Sequence, residues 1–346
     1  MSSGRFLSPA EAAQRLNVSA KALRIYEHRG FIVPARSAAG LRGSGPAELA
    51  RVREIIALRA LGLSLAQINS VLEGDGMNLK EALTAHESVL EDRIGELAST
   101  IRRLREMKSE LSRGKMPAVS TLADVLQTRP DIRAAFDLPW PWGGEHFEIR
   151  DVRALNYIVG PLGSGKTRLA QRLAQALPDA AFVGLERLEG GRAASRALLE
   201  TDHALRSRLD QTVQWLVQDG AVICDALIAL LVRLESERPA ILIVDMIEHG
   251  LDHHTQDALI AWLRRRKSAC RPLFLLTRSS AILDLAAVGS DESIIFCPAN
   301  HSPPVHVAPH DGAPGYEAVA SCLATPEVRA RTEGTIAWRP EVAHPV

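Results

Sequence analysis

Several features that would narrow the function of this 346-residue chain are missing from it. No run approaches the roughly eighteen consecutive apolar residues of a membrane-spanning helix. The first residues lack the apolar core of a secretion signal. Both absences argue for a cytoplasmic protein without membrane contact. Cysteine is scarce: Cys224, Cys270, Cys297 and Cys322 lie far apart, with no C-x-x-C pair and no zinc spacing. Dispersed, reduced thiols fit the cytoplasm. Net charge is also missing, since 41 basic residues balance 41 acidic ones. That balance hides an asymmetry. Residues 1–76 carry ten basic side chains against six acidic ones. A small basic excess is weak evidence for nucleic acid, because solvated basic faces are common.

What is present centres on Gly160-Pro161-Leu162-Gly163-Ser164-Gly165-Lys166-Thr167, a full match to G-x-x-x-x-G-K-[ST]. The apolar run Leu155 to Val159 before it predicts a strand, and the spacing from Leu169 to Leu177 predicts a helix. In that setting the glycines let backbone N–H groups turn inward around a phosphate, at the positive end of the following helix. Lys166 would reach the β- and γ-phosphates, and Thr167 would offer its hydroxyl to Mg²⁺. The motif predicts ATP with Mg²⁺. Length suggests two domains, each able to bury its own core.

Toward the N-terminus, Ser8-Pro9-Ala10-Glu11 has the form of a capping box and opens a helix that ends near Asn17. Ser19 caps a second helix, Ala20 to Arg29, closed by Gly30. Two short helices and a tight turn make a helix-turn-helix, whose second helix enters a major groove. Leu23-Arg24-Ile25-Tyr26-Glu27-His28-Arg29-Gly30-Phe31-Ile32-Val33-Pro34-Ala35-Arg36 then resembles the MerR family's L-R-Y-Y-E-R-x-G-L-[IL]-x-P-x-R. The likeness spans residues 5–73 and takes in a Gly-rich wing with Arg42, a helix from Ala47 to Leu61, and Gly62-Leu63-Ser64-Leu65. It implies that Ser19, Lys21, Arg24 and Tyr26 contact double-stranded operator DNA from the recognition helix, with Arg36 and Arg42 on phosphates from the wing. Basic side chains supply phosphate affinity, while hydroxyls fix register. Three departures occur: Ile25 replaces the first tyrosine, Leu41 replaces a wing aromatic, and Gly43-Ser44-Gly45 loosens the wing tip.

From Asn78 to Arg113, Leu79, Leu83, His86, Leu90, Ile94, Leu97, Ile101, Leu104, Met107 and Leu111 recur at three- and four-residue steps. This is a coiled-coil pattern, and its stripe requires a partner helix. In MerR-like regulators the equivalent helix pairs with its twin, which implies a homodimer through residues 79–111 and RNA polymerase as a partner. His86 reads as a polar register device, and metal sensing is not expected. Residues 115–144, rich in proline, read as a linker with a short helix near Ser120 to Gln127.

Beyond the P-loop, Ala240 to Asp245 is an apolar run ending in an acid, the pattern of a buried parallel strand whose aspartate holds Mg²⁺. With Gly250-Leu251-Asp252 it resembles the ABC-ATPase stretch D-E-P-T-x-G-L-D. That resemblance places Arg278 where a γ-phosphate-sensing histidine is usual. It also puts Trp140 and Trp142 near the position of an adenine-stacking aromatic, with a packing plug as the equal alternative. Met246 stands at the catalytic glutamate position, leaving Glu248 as a weak substitute base. No signature loop lies shortly before the acidic strand, since Leu188-Glu189-Gly190-Gly191-Arg192 comes too early. Nucleotide binding is expected, and rapid hydrolysis is not. His301, His306 and His310 read as a solvated loop.

The expected architecture is multi-domain: an all-α winged helix-turn-helix over residues 1–76, a coiled-coil helix over 77–114, a linker over 115–144, and an α/β P-loop domain with a mainly parallel sheet over 145–346. Two functions fit it. One is a MerR-type regulator whose nucleotide occupancy modulates operator binding. The other is an ABC-like ATPase of DNA maintenance or a transport-linked complex, with a DNA-anchoring head.

Overall fold

A computed structural model describes residues 7–33, 35–36, 42–113, 134–149, 152–188, 197–266 and 271–323. The N-terminal head is built from capped short helices. Helix α1 (Pro9–Leu16) starts where the Ser8 hydroxyl accepts from the Glu11 N–H at 3.3 Å and the Glu11 carboxylate accepts from the Ser8 N–H at 2.8 Å. It stops at Asn17, whose left-handed φ of 53° turns the chain away. Ser19 caps α2 (Ala20–His28), accepting from the Ala22 N–H at 3.1 Å. Strands β1 (Ala35–Arg36) and β2 (Arg42–Gly43) pair antiparallel as the wing, with Arg36 opposite Arg42. Helices α3 (Pro46–Ala60) and α4 (Leu65–Leu72) complete a core around Leu23, Tyr26, Val52, Ile55, Leu63 and Ile68.

Helix α5 (Met77–Ser112) runs 36 residues, about 54 Å at 1.5 Å per residue. Along it Leu90, Ile94, Leu97, Ile101 and Leu104 remain 40–65% exposed. The short helix expected near Ser120 lies outside the described residues.

Residues 134–144 do not behave as linker. Strands β3 (Ala134–Asp137) and β4 (His146–Ile149) form a hairpin whose Phe136, Leu138, Trp142 and Phe147 join the core of the C-terminal domain. The apolar alternation that drives this packing is short and interrupted by prolines, which hides it in the sequence.

The C-terminal domain is a six-stranded sheet with neighbours in the order β10-β9-β5-β8-β7-β6. Strands β5 (Leu155–Val159), β6 (Ala180–Val183), β7 (Ile241–Val244), β8 (Leu273–Leu276) and β9 (Glu292–Phe296) are parallel, and β10 (Val305–His306) is an antiparallel edge. The four buried residues of β7 and of β8 give continuous apolar runs, as a sheet covered on both faces demands. Helix α6 (Lys166–Ala176) follows β5. Helices α7 (His203–Gln218) and α8 (Asp225–Glu235) lie between β6 and β7, and α9 (His253–Arg265) links β7 to β8. Helix α10 (Tyr316–Leu323) packs Val319 and Leu323 into the core. Because β8 separates β5 from β7, the P-loop and the acidic strand end face each other across one strand at the carboxyl edge, where ligands of such sheets bind.

Head and P-loop domain are packed together at the C-terminal end of α7. Asp219, whose side chain is 3% exposed, accepts both guanidinium nitrogens of Arg59 at 2.6 and 3.1 Å and the Leu65 N–H at 2.9 Å. Arg59 also lies over the Trp215 ring at 5.6 Å, with Arg265 at 5.4 Å, and the Trp215 indole N–H donates to the Gly62 carbonyl at 3.2 Å. Gly62 has φ +86°, and a Cβ there would come within 2.7 Å of Arg265 Nε, so the close approach needs glycine. Removing one partner of a buried pair strands the other charge. Asp219→Ala is expected to weaken docking by about 3 kcal/mol and to separate unfolding of the head from unfolding of the P-loop domain. Denaturant melts followed by probes in each domain check this; superimposable transitions in the variant would contradict it.

Candidate functional site

The loop from Gly160 to Thr167 leaves the buried end of β5 and enters α6. Gly163 and Gly165 adopt φ of +79° and +88°, a region that favours glycine. Gly160 has another reason to lack a side chain: a Cβ there would meet the Cys297 carbonyl at 2.4 Å and Ser164 Oγ at 2.7 Å. Lys166 Nζ donates to the carbonyls of Gly160 at 2.7 Å and Pro161 at 2.6 Å, and reaches Ser164 Oγ at 3.4 Å. Burial lowers its pKa, with the nearby Arg278 adding to the fall and Asp245 opposing it. Pro161 is half-buried and Leu162 is 85% exposed at the loop tip.

Beneath the loop, Thr167 Oγ1 donates to Asp245 Oδ2 at 2.9 Å. The motif hydroxyl and the strand-end carboxylate, 78 residues apart, are thus brought together. Two hard oxygen donors beside a glycine-rich loop fit Mg²⁺ with a nucleoside triphosphate.

Next to Asp245 the backbone turns at Met246, whose φ is +44°. Arg187, 5% exposed, holds this turn by donating to the Asp245 carbonyl at 2.8 Å and the Met246 carbonyl at 2.7 Å. Burial lowers its pKa, and Asp245, Glu186 and Glu248 counter that effect. Sequence reasoning missed Arg187, because nothing in its spacing after β6 marks it. Glu248 Oε1 accepts the Arg278 N–H at 2.9 Å, fixing the turn to the segment after β8. One carboxylate oxygen of Glu248 is thereby occupied, while Oε2 is buried without a hydrogen-bond partner among the described residues.

The two tryptophans part company. Trp142 is 5% exposed, lies under the P-loop against Gly165, and donates its indole N–H to the Ser302 carbonyl at 3.0 Å. It is the packing plug rather than a stacking surface. Trp140 is 77% exposed. His301, read from sequence as part of a solvated loop, is partly exposed and brings Nε2 to 3.1 Å from the Gly163 carbonyl.

On the head, the expected DNA-contacting residues are not equally free. Arg24 is exposed, whereas Ser19 and Tyr26 are 4% and 8% exposed. Burial raises the Tyr26 pKa; the Arg59 charge lowers it and Asp219 adds to the rise. Lys21 forms an ion pair with Asp257 of the P-loop domain. Arg36 and Arg42 occupy the wing strands. The Leu188 to Arg192 stretch lies largely outside the described residues.

Cys297 follows β9 directly beneath the P-loop, and burial pushes its thiol up to about 12. It should therefore stay protonated up to pH 10, and iodoacetamide should spare it in the native protein while labelling it after unfolding. Native labelling of Cys297 with a midpoint near the ordinary thiol value of about 8.5 would contradict this placement.

Two family models match the head: "MerR HTH family regulatory protein" over residues 7–75, and "MerR, DNA binding" over residues 49–113. No curated protein matches the chain. Among solved structures it is similar to HiNmlR, a MerR family regulator lacking the sensor domain, bound to promoter DNA, at 21% identity over 36% of this chain and 100% of that one, TM-score 0.24. It is also similar to the SMC head domain from Thermotoga maritima, at 10% identity over 51% of this chain and 98% of that one, TM-score 0.37. A third likeness is to cbiO1 from Clostridium perfringens, part of the ABC transporter complex cbiONQ, at 14% identity over 59% of this chain and 100% of that one, TM-score 0.39. Residues 7–113 are thus a MerR-type helix-turn-helix region, carried in one chain with a P-loop α/β domain.

Proposed function

We propose that the chain is a DNA-binding transcriptional regulator whose P-loop domain binds ATP with Mg²⁺, and that nucleotide occupancy modulates operator binding. The observation that carries this reading is the Thr167–Asp245 pair beneath a complete P-loop, in a domain docked directly on the helix-turn-helix. Lys166 and the loop N–H groups would hold the phosphates, Thr167 and Asp245 the metal, and exposed Trp140 the base. Bound Mg²⁺ would neutralise phosphate charge. Arg278 would answer the terminal phosphate.

Turnover is predicted to be slow. Methionine at position 246 neither takes a proton nor orients water, and the nearest carboxylate, Glu248, lies two residues further on with one oxygen held by the Arg278 N–H. Loss of a general base removes roughly 10²–10⁴-fold of rate. Occupancy, rather than hydrolysis, is then the signal. A ligand shifts such an equilibrium only through its differential affinity for the two states, and DNA must alter ATP affinity by the same factor.

The exposed stripe of α5 supports a homodimer, which would set the spacing of two heads on a two-fold operator. RNA polymerase is the partner that follows for a regulator of this type, and the cytoplasm is its compartment.

Lys166→Ala should abolish ATP binding by calorimetry and remove any effect of ATP on DNA affinity, while binding to DNA without nucleotide persists. Wild-type turnover of several per second, or equal DNA affinity with and without saturating ATP, would overturn the occupancy reading. Leu97→Glu should convert a dimer to monomers in sedimentation equilibrium. An unaltered dimer would place the interface elsewhere.

A further inference from the structure

The recognition helix is not presented to solvent along its length. Lys21 Nζ pairs with Asp257 on α9 and donates to the Ala281 carbonyl at 3.0 Å and the Ser280 carbonyl at 3.4 Å. Of the ammonium's three donors, two are taken by carbonyls of the P-loop domain, and its charge is paired with a carboxylate on the same face. At the other end of α2, Arg29 donates to the Asp219 carbonyl at 3.2 Å, and a Cβ on Gly220 would collide with its guanidinium. Between these ends α2 and the P-loop domain line a shared cavity of about 1500 Å³.

A recognition helix reads DNA with its N-terminal residues set in a major groove about 12 Å wide. A helix with side chains is itself about 10–12 Å across. No groove wall can enter where α9 and the segment after β8 already stand against Lys21. The arrangement of acceptors at Lys21, one carboxylate and two carbonyls, also supplies what a DNA phosphate would supply.

The same acceptors are tied to the nucleotide site. Ser280 and Ala281 follow Arg278, whose N–H is held by Glu248, and Thr277, whose N–H donates to the Ile158 carbonyl at the base of the P-loop at 3.4 Å. Ser279 Oγ donates to Gln256 Oε1 at 2.5 Å, joining that segment to α9 one residue before Asp257. The acceptor face is therefore a single braced unit.

We propose that the P-loop domain is an internal competitor for the DNA-reading face of its own helix-turn-helix. Asp257 and the carbonyls of Ser280 and Ala281 occupy Lys21 in place of DNA phosphate, and the chain must undock there to bind DNA. This rests on the reading of α2 as the DNA-contacting helix. Nucleotide acts on the clamp through Arg278 and Glu248, but the clamp operates without it.

The test uses the full chain, no nucleotide, and a random-sequence 40-bp duplex at low salt, where phosphate contacts dominate affinity. Asp257→Ala should bind the duplex at least fivefold more tightly than Asp210→Ala, which makes the same charge change at an exposed position of α7. Asp219→Asn, opening the clamp from its other end, should act in the same direction. Hydrogen exchange at the Leu65 amide, bonded to Asp219 in the docked state, should speed up in Asp219→Asn, and in wild type when DNA is added. Equal affinities of Asp257→Ala and Asp210→Ala overturn the clamp, as does DNA-bound wild type that keeps the Leu65 amide protected. If opened variants do not bind duplex at all, the DNA-binding function falls as well. A wild type whose DNA affinity ignores ATP would count against nucleotide control alone and leave the clamp standing.

Discussion

The buried carboxylate of Asp219 is the constraint on which the arrangement of this chain depends. A charge removed from water is tolerated only when paired and hydrogen-bonded. Asp219 meets that demand with groups from the other domain: the Arg59 guanidinium and the Leu65 N–H. Neither domain alone satisfies it. The C-terminal end of α7 also favours cations through its unpaired carbonyls, and Arg29 uses one of them. The head is thus held in a defined orientation, and that orientation brings Lys21 against α9.

Orientation explains why a DNA-binding module and a nucleotide site in one polypeptide can influence each other. The turn at Met246, the segment carrying Arg278 and the first turn of α9 share hydrogen bonds through Glu248, Ser279 and Gln256, and Thr277 ties the same segment to the Ile158 carbonyl on β5. Packed elements of this kind move as units rather than deforming continuously. A change near the terminal phosphate would then be delivered to the acceptors of Lys21. Arg187 contributes by fixing the carbonyls of Asp245 and Met246, so the turn between the two sites is stiff.

Much of the fold was legible in the sequence. The Ser8–Glu11 box, the Ser19 cap, the apolar runs of β5, β7 and β8 and the helix ending at Leu323 all signal themselves through local chemistry. So did Thr167 and Asp245, because a motif and an acid-tipped strand define both ends of their contact. The hairpin of residues 134–149 was not legible, since its strands are four residues long and its prolines suggest a linker. Lys21 and Tyr26 were readable as family positions, but their partners were not. Asp257 and Asp219 look like ordinary surface acids on helices, and long-range burial leaves no periodic trace. Arg187 was hidden for the same reason.

The central claim is that DNA and the P-loop domain compete for the same face of the head. Spin labels at exposed positions 14 on α1 and 238 after α8, in a background lacking reactive native cysteines, would report the distance between the two domains directly. The account predicts a single short distance distribution in the free protein and a longer, separate one when duplex DNA is bound. A DNA-bound protein with an unchanged distance distribution would contradict it.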